Sequence, residues 1–287
     1  MALTVTDFFR KFPTDDACLD HLWKVRFGDE IECGKCGKVG KFYRLRKELA
    51  YSCPRCGHHI HPMVGTPFER SRTPLQKWFY AIYLFTTTRH GVSAKELQRQ
   101  LGVTYKTAWR MRHEIRKYMA QVDGDGMLDA HVEMDEAYIG GRRVGGKQEG
   151  KTGRGGDKAI VFGMVKREGE VITAVVASAS KKDMLPHVAD HVVPGTHVFT
   201  DEWPPYKALP GMGYSHKAVS HRAKRYVEGI DHVKTIEGFW AILQRSIRGT
   251  HVWVSPKHLS KYLGEFEYRF NIRKRPASMF YRLLTSF

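Results

Sequence analysis

The sequence predicts an α/β domain preceded by two small modules, a four-cysteine metal site and a basic helical pair. Three observations carry this. Two Cys-x-x-Cys pairs stand sixteen residues apart near the N-terminus, a basic stretch with helical apolar spacing follows them, and from about residue 128 the apolar period changes to two. A chain of 287 residues can bury a full core and divide into two or three domains. Hydrophobic content of 42% and aromatic content of 12% are ordinary for a globular protein and exclude wholesale disorder.

Charge narrows the class of partner. There are 47 Lys plus Arg against 30 Asp plus Glu, a formal net charge of +17, which makes a polyanion the expected ligand. Membrane attachment is disfavoured, because no apolar run reaches the ~18–20 residues of a spanning helix and the N-terminus lacks a charged segment followed by an apolar one. A soluble cytoplasmic protein is expected.

In that compartment thiols stay reduced, so Cys33, Cys36, Cys53 and Cys56 are read as ligands of one structural zinc ion rather than as disulfides. A thioredoxin-like redox pair is disfavoured, since there are two pairs and no βαβ pattern around either. Gly37 and Gly57 each follow a pair and would relieve the tight turn that aims backbone amides at the sulfurs. His58, His59 and His61 could supply a ligand, but four cysteines complete the shell. Cys18 is read as a small core residue of a short N-terminal helix. The expected boundaries are 1–30 for that helical segment and 31–68 for a zinc ribbon, a binding or scaffolding unit with no open coordination position for chemistry.

Residues 74–120 follow, with Trp78, Ile82 and Phe85 at helical spacing. Two short helical patterns then flank "LGVTY". The first opens on Ser93 with Glu96 three residues on, a capping box; the second, from about Tyr105 to Met119, carries Lys106, Arg110, Arg112, His113, Arg116 and Lys117. A helix-turn-helix that binds DNA is the reading favoured over a three-helix bundle whose charges only face water. "AQVDGDGM" (120–127) is read as a linker.

The last domain, 128–287, begins with "HVEMDEAY", which as a strand sends Glu133 and Asp135 to one side and Val132 and Met134 to the other. Further strands are read at 159–167, at 170–178, in "THVFTDEW" and in "HKAVSH", with helices near 181–192 and in "DHVKTIEGFWAILQRSIRG". Strand, strand, strand, helix, strand, strand, helix is the element order of a ribonuclease-H-like domain. Three carboxylates fall at telling places in it: Asp135 on the first strand, Asp201 at the end of the fourth, and Glu237 on the late helix with 35 residues between it and Asp201. Acids from separate elements suit two hard divalent ions, magnesium or manganese, in an in-line phosphoryl transfer.

Across nearly its whole length the chain resembles the ISXO-type insertion-sequence DDE transposases, which join a zinc ribbon to a DDE catalytic domain. The blocks that carry the resemblance are "CGKCG", "CPRCG", "GTPFERSRTPLQKWF", "SAKELQRQLGVTYKTAWRMRHEIR", "VEMDEAYIGG", "TDEWPPY", "GYSHKAVSH", "IEGFWAILQRSIRG" and "EFEYRFNIR". The resemblance implies that Asp135, Asp201 and Glu237 ligate catalytic metal and that the substrate is double-stranded DNA, the terminal inverted repeats and the target. It implies a prokaryotic, nucleoid-associated enzyme acting as a homo-oligomer, a dimer on paired ends. A basic residue is common seven positions after the third acid; here that position is Gln244, with Arg245 and Arg248 beside it as candidate DNA contacts, joining Lys106, Arg110, Arg112 and Arg116. An asparagine expected near Lys234 is also missing.

Other residues keep two readings. The glycine-rich basic segment 140–158 is a loop that closes on a phosphate backbone or a solvated hairpin insertion. Trp203 and Tyr206 stack on an unpaired base or pack beneath the site. His216 and His221 position DNA or satisfy a sheet edge. Glu133 supports Asp135 or is exposed, Trp240 is core, and Asp231 is the substitute should Glu237 not be the third acid. Rival functions are a non-catalytic DNA-binding regulator and a nuclease that cuts without joining.

Overall fold

The computed structural model describes residues 3–123, 126–140, 158–219 and 232–286. Most of the basic segment 140–158, together with His221 and Asp231, lies outside the described residues. The chain forms two compact units, residues 1–118 with 275–287, and residues 119–274.

The first unit opens with two helices, α1 (Val5–Lys11) and α2 (Asp15–Phe27), each begun by a threonine cap, Thr4 and Thr14. The ribbon follows as β1 (Ile31–Glu32) paired with β2 (Val39–Gly40), and a three-stranded sheet of β3 (Tyr43–Arg44), β4 (Tyr51–Ser52) and β5 (His59–Ile60). Strands this short cannot hold themselves together. Trp23 of α2 stacks on Tyr51 of β4 with ring centroids 4.1 Å apart, so the ribbon leans on the preceding helix.

Next come α3 (Leu75–Thr87), α4 (Ala94–Leu101) and α5 (Tyr105–Asp123). The buried stripe of α3 includes Trp78, Ile82 and Phe85, as its spacing predicts. Ser93 caps α4 by accepting the Glu96 amide at 3.0 Å. The reciprocal half of the expected capping box is not made, because the Glu96 carboxylate is engaged by Arg99 and Gln100 one turn on. Gly102 closes α4 in the left-handed conformation at φ 59°. Helix α5 runs on to Asp123, so the first part of the expected linker is helical. Residues 275–287, placed by sequence in the last domain, cluster with the first unit. The cause is an apolar helix, Met279–Thr285, whose Phe280 ring meets Phe8, Phe12 and Tyr83.

The second unit is a five-stranded mixed sheet. Its elements are β6 (His131–Gly140), β7 (Lys158–Lys166), β8 (Val171–Val176), α6 (Lys181–His191), β9 (His197–Thr200), β10 (Ser215–Ala218), α7 (Lys234–Ser246) and α8 (Pro256–Asn271). Through α7 this is the order the sequence predicts; α8 was not anticipated. The spatial order is β10-β9-β6-β7-β8, with β6, β7 and β8 antiparallel and β9 and β10 parallel to β6. Alternation along β6 sorts its side chains as expected. Val132 and Met134 join a core with Phe162, Met184 and Val188 of α6, whereas Ala137 and Ile139 join Ile236, Phe239, Trp240 and Leu243 of α7 and Leu259, Tyr262 and Phe266 of α8. Among the described residues no helix is long and apolar enough to cross a membrane.

Candidate active site

Register brings the first two acids together. Glu133 of β6 lies opposite Phe199 of β9 in a parallel pair; β9 ends one residue before Asp201, and Asp135 follows two residues further along β6, near enough for the Asp201 charge to act on it. Strand β9 ends at Thr200, and the Asp201 carboxylate accepts the Trp203 amide at 2.9 Å, turning the chain away from the sheet. Glu237 enters from above. It sits one turn into α7, on the exposed side of a helix whose other side is pressed onto the sheet by Ile236, Phe239, Trp240 and Leu243.

Electrostatics agrees with that placement. Burial pushes the Asp135 carboxyl up to about 6; the Glu136 amide pulls against it, and Asp201 and Glu237 repel its negative charge further. The indole N–H of Trp240 adds a weaker pull without reaching full hydrogen-bond geometry. The charges acting most on Asp135 are both negative, an arrangement a divalent cation would relieve. Among the described residues only the four cysteines bring their ligand atoms all within 4.8 Å of one another. The three carboxylates are therefore set more widely than the cysteines.

Two features fix the start of α7, which carries Glu237. One is Glu133, completely buried two residues before Asp135 on the same side of β6. Its carboxylate accepts the Thr235 amide at 2.7 Å, the Thr235 hydroxyl at 2.9 Å and the Ile236 amide at 3.1 Å, capping the first turn of α7 from the neighbouring strand. Arg167 neutralises it at 2.8 Å, lies over the Phe199 ring at 4.1 Å and donates to the His232 carbonyl at 2.6 Å. The other is Gly163 of β7, in register with Asp135. A Cβ there would fall 2.7 Å from Trp240 Cη2 and closer still to Cζ2, so α7 can settle onto the sheet only over a glycine. The Glu-x-Asp alternation and the mid-strand glycine were visible in the sequence, but Thr235 lies 102 residues beyond Glu133 and Trp240 lies 77 beyond Gly163.

The remaining candidates divide. Tyr206 is fully buried and donates to Glu136 at 2.6 Å, and Trp203 donates to the Ala179 carbonyl at 2.9 Å, so both pack beneath the site. His216 shares a 2.9 Å hydrogen bond with Thr200, and burial lowers its pKa, which makes it a satisfied residue of the edge strand β10. On α5, Lys106 and Arg110 are exposed alongside Trp109. Arg112 and Arg116 are not: both are buried, and Arg116 lies over the Phe85 ring at 5.4 Å. Helical rotation turns these two inward, which corrects their assignment as surface DNA contacts. Arg245 and Arg248 are exposed on α7 and just beyond it.

The cysteine cluster is formed by two matching turns. Cys33 accepts the Gly37 amide at 2.8 Å and Cys53 the Gly57 amide at 3.0 Å through their carbonyls, and both glycines are left-handed, at φ 66° and 69°. Sulfur separations of 3.6 Å (Cys33 to Cys56) and 3.9 Å (Cys36 to Cys53) bracket the ~3.8 Å edge of a tetrahedron with metal–sulfur bonds of ~2.3 Å. Amides of Cys56 and Arg55 lower the Cys53 pKa. Burial raises that of Cys33, but amides of Cys36 and Lys35 outweigh it and bring the thiol to about 7.

Residues 127–271 match the ISXO2-like transposase domain, and residues 13–59 match the transposase zinc-ribbon domain. A protein of transposable element ISH50 from Halobacterium salinarum is 28% identical over 286 residues, covering 93% of this chain and 95% of its own. A transposase-like protein of Haemophilus influenzae is 28% identical over 102 residues, 36% of this chain and 81% of its own. Among solved structures, the mariner Mos1 paired-end complex with Mg overlaps 68% of this chain and 74% of its own at 14% identity, with a TM-score of 0.29, too loose a likeness to bear on the fold. The family match spans half the chain and contains all three carboxylates: the chain belongs to the ISXO2-like transposase family.

Proposed function

We propose that this protein cuts DNA at the ends of a mobile element and joins the freed ends to target DNA, using Asp135, Asp201 and Glu237 to hold two divalent cations, magnesium or manganese. The observation that carries this is the meeting of three acids, Asp135 on β6, Asp201 just past the end of the adjacent β9 and Glu237 on a helix packed on the same sheet, with Asp135 repelled by the other two. Cations held by these three carboxylates would supply activation of a hydroxyl nucleophile and stabilisation of the leaving oxygen. The protein supplies position. Asp135 is set by the sheet, Asp201 by the turn that its own carboxylate closes with the Trp203 amide, and Glu237 by the capped and packed start of α7. Water attacks first and the freed 3′-hydroxyl attacks target DNA next, with no covalent protein intermediate.

Binding belongs to other residues. The four cysteines hold one structural zinc, and the exposed start of α5, with Lys106, Trp109 and Arg110, contacts the element end as the second helix of a helix-turn-helix. A homodimer on paired ends, at work in the prokaryotic cytoplasm, completes the reading. A strand-transfer assay on a labelled terminal repeat with magnesium tests it, and joined product is expected. Cut but unjoined DNA would make the protein a nuclease, and bound but uncut DNA a regulator.

A further inference from the structure

The outward face of α7 does not end at Glu237. Ala241 and Gln244 follow at four and seven positions, on the same helical stripe as the acid, and Arg248 follows in the π-helical segment Ile247–His251 that continues α7. Ala241, Gln244, Arg245, Arg248 and Gly249 line one cavity of about 550 Å³, and Gln244 and Arg248 also line a second, of about 640 Å³. That second cavity is walled by the end of β6 (Tyr138, Gly140), by Lys158 at the start of β7, and by Val252 and Trp253. Gln244 is seven residues along α7 from Glu237, and Tyr138 is three along β6 from Asp135. At ~1.5 Å per helical residue and ~3.3 Å per strand residue, both elements reach the cavity ~10 Å from the acids.

Its outer wall is costly to fold. Val254 is buried in the core and Gly140 packs so closely on it that a Cβ would fall 3.2 Å from the Val254 carbonyl, which anchors the segment. From this anchor Val252 projects 81% exposed and Trp253 47% exposed, and Val252 is left-handed at φ 63°, a conformation that strains a β-branched residue. An anchored, strained turn that offers an indole to solvent beside basic groups has the composition of a single-strand nucleotide site: a stacking platform within a positive groove.

We propose that this cavity seats one unpaired nucleotide of the DNA end, with its base on Trp253 and the adjoining phosphates along Arg248 and Lys158. The proposal rests on the transposase reading above and adds to it a site for unpaired DNA about 10 Å from the acids. Within the groove the Arg248 guanidinium lies 3.5 Å from the Gln244 side-chain oxygen.

The test is binding of the full-length protein, without divalent cation, to a blunt duplex and to the same duplex carrying a single-stranded tail with a fluorescent aminopurine base. The wild type is expected to prefer the tailed DNA and to quench the aminopurine. Trp253→Ala should weaken tailed binding about tenfold and abolish quenching while leaving blunt binding unchanged, and Trp253→Phe should restore tailed binding to within about threefold. Arg248→Ala should lower the salt dependence of tailed binding by about one counterion. Equal loss on tailed and blunt DNA in Trp253→Ala, or no loss on either, would overturn the nucleotide site. Wild-type protein that binds blunt DNA and ignores the tail would overturn it while leaving the transposase reading in place, whereas failure to bind either DNA would overturn both.

Discussion

At the scale of single residues, two carboxylates two positions apart on β6 have opposite surroundings and opposite uses. Asp135 has its pKa raised from 3.8 to about 6 by burial and by its acidic neighbours. In metal-free protein the folded state therefore keeps a proton that the unfolded state releases between those pH values, and stability falls as pH rises through about 6. Thermal melts in chelator should show this slope in the wild type and lose it in Asp135→Asn. Added magnesium should restore the wild type above pH 6 and have little effect below it, where the proton competes with the cation. Glu133 is matched instead by Arg167 and three donors on Thr235 and Ile236. Glu133→Ala leaves a nearly buried guanidinium and a helix start without their partner and should cost on the order of 3 kcal/mol in denaturant melts, whereas Glu133→Gln, which still accepts from the Thr235 amide, should cost about half that.

At the scale of elements, the site depends on how closely α7 lies on the sheet. Gly163→Ala would press a methyl group into the Trp240 ring and lift the helix, at a cost of about 1–3 kcal/mol. Because Glu237 rides on that helix, cleavage should fall well beyond what the lost stability explains while DNA binding holds, a comparison made by assaying both at a temperature where the variant is fully folded. Much of this element was legible in the sequence. The two-residue period of "HVEMDEAY" and the helical spacing of Ile236, Phe239 and Leu243 are local signals, and so are the cysteine spacings with their trailing glycines. What stayed hidden depends on distant partners. Nothing near Glu133 announces that it caps a helix a hundred residues later, nothing near Gly163 names Trp240, and the charge of Arg112 and Arg116 masks the fact that helical rotation buries them.

At the scale of the whole molecule, the chain divides into two units, with the cysteine cluster and the exposed basic end of α5 in one and the three carboxylates in the other. Metal removal should separate them. Purified protein should carry about one zinc per chain, and Cys53→Ser should melt the ribbon, whose own strands are two residues long, while the 119–274 unit keeps its unfolding transition in calorimetry. The most direct test of the central claim uses the same division and compares end-binding with magnesium-dependent cleavage in Asp135→Asn, Asp201→Asn and Glu237→Gln. Each change keeps the side chain's shape and removes the charge that holds a hard cation, so cleavage should drop by several orders of magnitude while binding stays level or tightens slightly as phosphate repulsion is relieved. Full cleavage and joining by Glu237→Gln with magnesium would contradict the three-acid site and send the search for a third ligand elsewhere in the chain.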